Sequence, residues 1–94
     1  MALFSVERQL TATSGKLRRA RDELVQVTEQ LAALRSDADD AMTDALVRGG
    51  RAKRAATEAA RHVERLAQAQ ERLRQQIIDL GLEQDSLLDR LPTS

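Results

Sequence analysis

The chain has no cysteine, tryptophan or tyrosine, and Phe4 is its one aromatic residue. The absence of cysteine excludes disulfide bonds and thiolate metal sites. His62 is the one histidine, and a lone histidine at a flanking helical position is typical of a surface residue. Because no nucleophile stands beside a base, the sequence contains no catalytic constellation. We therefore expect a protein that is not an enzyme and that has neither a metal nor a cofactor.

Long apolar runs are also missing, so no segment is expected to span a bilayer. The first ten residues lack a basic region followed by a long apolar core, so we expect no Sec signal peptide and a cytoplasmic location. Leaderless export stays open. The fifteen basic and fifteen acidic side chains balance, which gives no electrostatic footprint for nucleic acid or an anionic membrane. Abundant alanine, with arginine preferred over lysine, is typical of GC-rich bacterial genomes.

Apolar residues do recur through the first half of the chain, at steps that alternate between three and four. Together with one polar residue, Thr13, they form a seam: Leu3, Val6, Leu10, Thr13, Leu17, Ala20, Leu24, Val27, Leu31, Leu34, Ala38, Ala41 and Ala45. Such an a/d repeat, sustained over many turns, predicts a coiled-coil helix.

The second half carries a similar seam with two glutamines: Ala52, Ala56, Ala59, Val63, Leu66, Gln70, Leu73, Ile77, Leu80, Gln84, Leu87 and Leu91. The two seams differ in phase, and the break falls at Gly49-Gly50. Adjacent glycines cost about 1 kcal/mol each inside a helix and are favoured just past a helix end. We therefore predict one domain over residues 1–94: a helix over about 4–48, a turn at 49–50, a helix over about 51–90 and a short C-terminal tail.

The two seams are mirror images about this turn, as an antiparallel hairpin requires. Facing residues have numbers that add to about 97, so that Ala45 meets Ala52 and Leu17 meets Leu80. Alanine meets alanine near the turn, whereas larger residues meet further away, so the turn end should be the weaker end. Gln84 is expected opposite Thr13. The fold class predicted is all-α, an antiparallel coiled-coil hairpin that pairs into a four-helix bundle.

The turn segment is basic and has two interpretations. Its four basic residues are Arg48, Arg51, Lys53 and Arg54. They could contact a nucleic-acid backbone. The interpretation that we favour is neutralisation by four aspartates on the facing helix, namely Asp37, Asp39, Asp40 and Asp44.

Apolar residues outside the seam predict an association face, since the flanks of a plain two-stranded coil usually carry more charge. The candidate residues of this face are Met42, Ala60, Ala67, Leu88, Ile78 and Leu82. An isolated two-helix hairpin is also short of core. A homodimeric four-helix bundle is the simplest assembly that would cover this face.

Three functions follow from these observations. The first is a non-enzymatic coiled-coil interaction module that dimerises or acts as a spacer or adaptor for another helical protein. The alternative is a hairpin associated with nucleic acid or with the transcription machinery, which would use its basic apex. The third possibility is a secreted helical-hairpin protein. Neither membrane binding nor nucleic-acid binding is expected for the first function.

Overall fold

The computed structural model describes the backbone of residues 2–92 and the side chains of residues 3–92. Two α-helices account for nearly all of this range: α1 spans Ala2–Arg48 and α2 spans Arg51–Asp89. The helices pack against each other as a helical hairpin, and no strand occurs among the described residues. The all-α hairpin predicted from the seams is confirmed. Residues 93–94 of the predicted tail lie outside the described residues.

The turn between the helices consists of two glycines, both in the left-handed region, with φ of 62° at Gly49 and 55° at Gly50. The Gly49 amide donates to the Ala45 carbonyl over 3.0 Å. This is the bond of an αL helix cap, which satisfies one of the last carbonyls of α1. Residues with a Cβ enter the left-handed region at a cost of about 1–2 kcal/mol, so glycine suits both positions.

The end of α2 tightens before Pro92. The Arg90 amide donates to the Leu87 carbonyl over 3.1 Å, and the Leu91 amide donates to the Leu88 carbonyl over 3.2 Å. Such bonds to the third preceding residue narrow the last turn of a helix. Proline has no amide hydrogen and disfavours helical geometry in the residue before it, so the helix does not continue.

The chain separates into two compact units, each of which contains a segment of both helices. We call residues 2–24 and 72–92 the terminal half, and residues 25–71 the turn half. In the terminal half the buried seam residues are Val6, Thr13, Leu17, Ala20, Leu73, Leu80 and Leu87. Leu17, Ala20 and Leu80 form a core cluster against which Ile77 packs.

The seam of the turn half is buried less completely. Val27, Leu31, Ala56 and Gln70 are buried, with Leu31 at 1% exposure. The remaining seam residues are half-buried, and most of them are alanine: Leu34, Ala38, Ala41, Ala45, Ala52, Ala59, Val63 and Leu66. The small side chains of these layers reach only part of the way across the interface between the helices.

Both predicted seams therefore face the interior of the hairpin. From Val6 to Leu91 each seam residue is buried or half-buried. Leu3 is different, because 45% of its surface is exposed. It lies in the first turns of α1, near the free end of the hairpin.

Candidate functional site

The basic apex is exposed, and its charges are paired less than the sequence suggests. Arg48 contacts Asp44 through Nε and Oδ1 at 3.0 Å, and the pair lies within α1 with both side chains exposed. The other three basic residues, Arg51, Lys53 and Arg54, form no ion pair among residues 3–92. Of the predicted pairings between the four basic residues and the four aspartates, residues 3–92 thus show one, within α1, and none between the two helices.

Beside the turn, the hairpin has an apolar groove on one flank. Its larger part has a volume of about 530 Å³ and a smaller continuation has about 200 Å³. Met42, Ala56 and Ala60 line both parts. We call this depression the turn groove.

The walls and floor of the turn groove come from both helices. Met42 and Leu46 stand on the α1 side, and Thr57 and Ala60 stand on the α2 side. Seam residues form the floor: Ala38, Ala45, Ala56 and Val63. The groove exists because these floor positions are mostly alanine, whose side chains leave the space between the helices unfilled.

Charged residues surround the turn groove. Arg35 and Asp39 line its smaller part on α1, and Lys53 lines its larger part on α2. Glu64 follows Thr57 by one heptad, so it continues the same edge of α2 and is exposed. Lys53 thus belongs to the groove as well as to the apex, a position that the heptad pattern does not indicate.

The predicted association face is divided between the two halves. Met42 and Ala60 line the turn groove, and Ala67 lies on the same flank and is half-buried. The other three residues belong to the terminal half and are exposed, by 50% at Leu88, 55% at Ile78 and 64% at Leu82. In the turn half the face is therefore a concave surface with Met42 exposed by 55% and Leu46 by 83%.

Two glutamines of the α2 seam each donate a hydrogen bond to a hydroxyl group of α1. Gln70 Nε2 donates to Thr28 Oγ1 over 3.0 Å, and Gln84 Nε2 donates to Ser14 Oγ over 3.0 Å. The predicted partner of Gln84, Thr13, is buried in the seam, and the hydroxyl one residue further along α1 accepts the bond instead. Among the described residues, no buried side-chain nitrogen or oxygen lacks a partner.

Two other surface features of the described residues involve charged side chains. His62 lies in a shallow depression with Glu58, Arg61 and Arg65, all on the exposed side of α2. The guanidinium of Arg8 lies 5.5 Å from the centre of the Phe4 ring, an exposed cation–π contact. In the described part of the chain, no three histidine or carboxylate groups are arranged to hold a metal ion.

Neither helix contains, within the described residues, a stretch that is both apolar and long enough to cross a membrane. No known protein family, curated protein or solved structure matches the chain.

Proposed function

We propose that the protein is a non-enzymatic coiled-coil interaction module, which serves as a dimerisation, spacer or adaptor element through a helical partner docked in the turn groove. One observation carries this proposal: an apolar groove runs beside the seam, and its walls contain large side chains, Met42 and Leu46, that are mostly exposed. The proposed location is the cytoplasm, and the partner is a second copy or another helical protein.

The turn groove suits an amphipathic helix. An apolar face of such a helix packs into a hydrophobic groove through residues spaced three and four apart. The floor and one wall of the groove contain alanines, so a partner helix could come as near as the short end of the usual interaxial range, about 8 Å. Charged residues at the edges would stay in contact with water, as the rim of an interface normally does.

Covering the exposed apolar walls of the turn groove would favour binding. Burial of apolar surface stabilises a complex by about 25 cal/mol per Å². Each 100 Å² that a partner buries would therefore contribute about 2.5 kcal/mol, before the loss of translational and side-chain freedom is subtracted. The same surface left in water would contribute nothing to the stability of the single hairpin.

Site-specific photocrosslinking in intact cells tests this proposal. A photoreactive residue at Ala60 should give a defined covalent adduct with a protein partner. The matched control is Ala55, an exposed alanine on the opposite flank of the same helix. The proposal would be wrong if Ala60 gave no adduct, or if the two positions gave the same adducts.

The nucleic-acid alternative is favoured by a separate observation: Arg51, Lys53 and Arg54 are exposed and form no ion pair within residues 3–92. We still expect weak binding, because the net charge of the chain is zero. At physiological salt the dissociation constant should be no lower than the non-specific range, about 0.1 mM to 1 µM. Submicromolar binding that is lost in the double variant Arg51→Ala, Arg54→Ala would make this alternative the better function.

A further inference from the structure

The occupant of the turn groove can be inferred from the charges at its edges. We propose that the turn groove is closed by the turn groove of a second copy of this chain, with the two turn halves packed antiparallel about a two-fold axis near Ala60. This inference rests on the proposed function, because it names the partner that the same groove accepts.

The edge of the groove on α2 is self-complementary. Lys53 lies near the turn, and Glu64 lies beyond Ala60 on the same edge. A two-fold axis between them places Lys53 of one copy against Glu64 of the other, twice per dimer. Within one chain these two residues are eleven positions apart in the same helix, which is about 16 Å at 1.5 Å per residue. They cannot pair with each other in the monomer.

The edge of the turn groove on α1 is self-complementary as well. Arg35 and Asp39 both line the groove and form no ion pair among residues 3–92. Their midpoint lies at the level of Ala60 on α2, because facing residues have numbers that add to about 97. This level is about 1.5 residues, or roughly 2 Å, from the midpoint of Lys53 and Glu64. An axis near Ala60 therefore also sets Arg35 of one copy against Asp39 of the other. An isologous interface brings two copies of one surface together, so each charged residue needs an opposite charge at the symmetry-related position of that surface. Arg35 with Asp39, and Lys53 with Glu64, meet this condition.

The basic apex favours the antiparallel arrangement over the parallel one. In a parallel dimer the exposed Arg51, Lys53 and Arg54 of the two copies would lie side by side and repel. An antiparallel dimer separates the two apices to opposite ends of the interface. The zero net charge of the chain adds no long-range repulsion to either arrangement.

Disulfide trapping tests the position of the axis, since the chain contains no cysteine. The Ala60→Cys variant should form a covalent dimer under mild oxidation, because residues beside a two-fold axis lie within the Cα separation that a disulfide bridges. The matched variant Ala55→Cys, on the opposite flank of α2, should stay at least ten-fold less cross-linked. Equal cross-linking of the two variants, or none at Ala60→Cys, would overturn the arrangement.

A charge exchange tests the pairing of Lys53 with Glu64. We expect Lys53→Glu and Glu64→Lys each to raise the dimer dissociation constant at least ten-fold in sedimentation equilibrium. The double variant should return it to within about three-fold of the wild type, because both ion pairs are restored with reversed sign. Circular dichroism should show unchanged helicity, since both side chains are exposed. A double variant as weak as the single ones would contradict the pairing.

The oligomeric state and the Ala60 adduct together distinguish the self-association from the proposed function. If the wild-type chain is monomeric at 100 µM and the Ala60 photoadduct contains a different protein, the self-association is wrong and the interaction module stands. If the chain is monomeric and Ala60 gives no adduct, both are wrong. If the adduct has the mass of two chains and Ala60→Cys cross-links, both are supported.

Discussion

The terminal half and the turn half share one seam spacing but differ in the size of the side chains that occupy it. Leucine, isoleucine and valine dominate the terminal half, where a cluster around Leu17 and Leu80 is buried. Alanine dominates the layers next to the turn, where Ala41, Ala45 and Ala52 remain half-buried. Leu31, the most deeply buried side chain, belongs to the turn half but lies far from the turn. Next to the turn only Ala56 is buried among the seam alanines, whereas in the terminal half the large Leu17, Leu73, Leu80 and Leu87 are all buried.

This difference assigns different tasks to the two halves. Stability from apolar burial is proportional to the area removed from water, so large seam residues stabilise the hairpin itself. Alanine layers contribute less of that area and leave a groove that another helix can fill. A protein that needs both a stable hairpin and a docking surface can obtain them by varying only side-chain size along one repeat.

The largest expected effect comes from removing a buried leucine of the terminal half. Leu17→Ala should lower the free energy of unfolding by about 2–5 kcal/mol, because it leaves a cavity beside Ala20 and Leu80. Leu34→Ala in the turn half should cost less, about 1–2 kcal/mol, because part of the Leu34 surface is already in water. Urea unfolding of both variants followed by circular dichroism gives the two values. Equal losses would mean that the two halves do not differ in packing.

The next largest loss of stability is expected at the turn, where a substitution acts through backbone strain and not through packing. An added Cβ at Gly49 or Gly50 meets no atom within 4 Å, but both residues have positive φ. Alanine at either position should therefore cost about 1–2 kcal/mol through backbone strain alone. The double variant should also populate elongated, domain-swapped dimers, because the helix stop is removed.

Small-angle scattering and light scattering measure this change of topology. The matched control is Gly15→Ala, a glycine within α1 without a positive φ. An unchanged maximum dimension in the Gly49→Ala, Gly50→Ala variant would mean that something other than the glycines holds the turn.

A smaller effect is expected at the polar layers, which occur once in each half. The two pairs, Gln70 with Thr28 and Gln84 with Ser14, are fourteen residues apart on each helix, and the residue numbers of both pairs add to 98. Polar residues at seam positions commonly specify register at a cost in stability. Gln84→Leu should therefore raise the free energy of unfolding by about 1 kcal/mol, since a leucine side chain gains burial without leaving a buried donor.

A measurement of the register between α1 and α2 tests whether these polar layers fix it. Distances between spin labels at Arg18 and Asp79, both exposed residues of the terminal half, should form one narrow distribution in the wild type and a broader one in Gln84→Leu. The Gln70→Leu variant should leave this distribution unchanged, because its layer belongs to the turn half. A narrow distribution in all three proteins would show that apolar packing alone sets the register.

Much of this architecture follows from the sequence because heptad spacing has a direct physical meaning. Residues three and four apart share one face of a helix, so the sequence alone predicts that the seam residues from Val6 to Leu91 face the interior. The glycine pair marked the turn because only glycine enters the left-handed region at little cost.

The sites were harder to predict than the fold. Seam spacing orders residues along a helix but contains no information on volume, so the turn groove and the place of Lys53 in it were missed. The bond from Gln84 to Ser14 depends on the rotamers of a long side chain, which periodicity does not determine. The prediction of ion pairs between the helices at the turn was wrong for a related reason. Equal numbers of acidic and basic residues in one segment do not imply that their side chains reach each other.

The smallest expected effect is a gain of stability at the other two glycines, Gly15 and Gly81. Both are half-buried in the terminal half. An added Cβ at Gly15 would lie 3.7 Å from the Arg19 guanidinium, an ordinary contact, and at Gly81 it would meet no atom within 4 Å. Glycine inside a helix is about 0.5–1 kcal/mol less favourable than alanine. Gly15→Ala and Gly81→Ala should therefore each raise the free energy of unfolding by that amount, whereas alanine at Gly49 lowers it. Thermal and urea unfolding of the three single variants measure the sign directly. A loss of stability in Gly81→Ala would show that the space beside Gly81 is occupied, for example by a partner that approaches the backbone of α2 there.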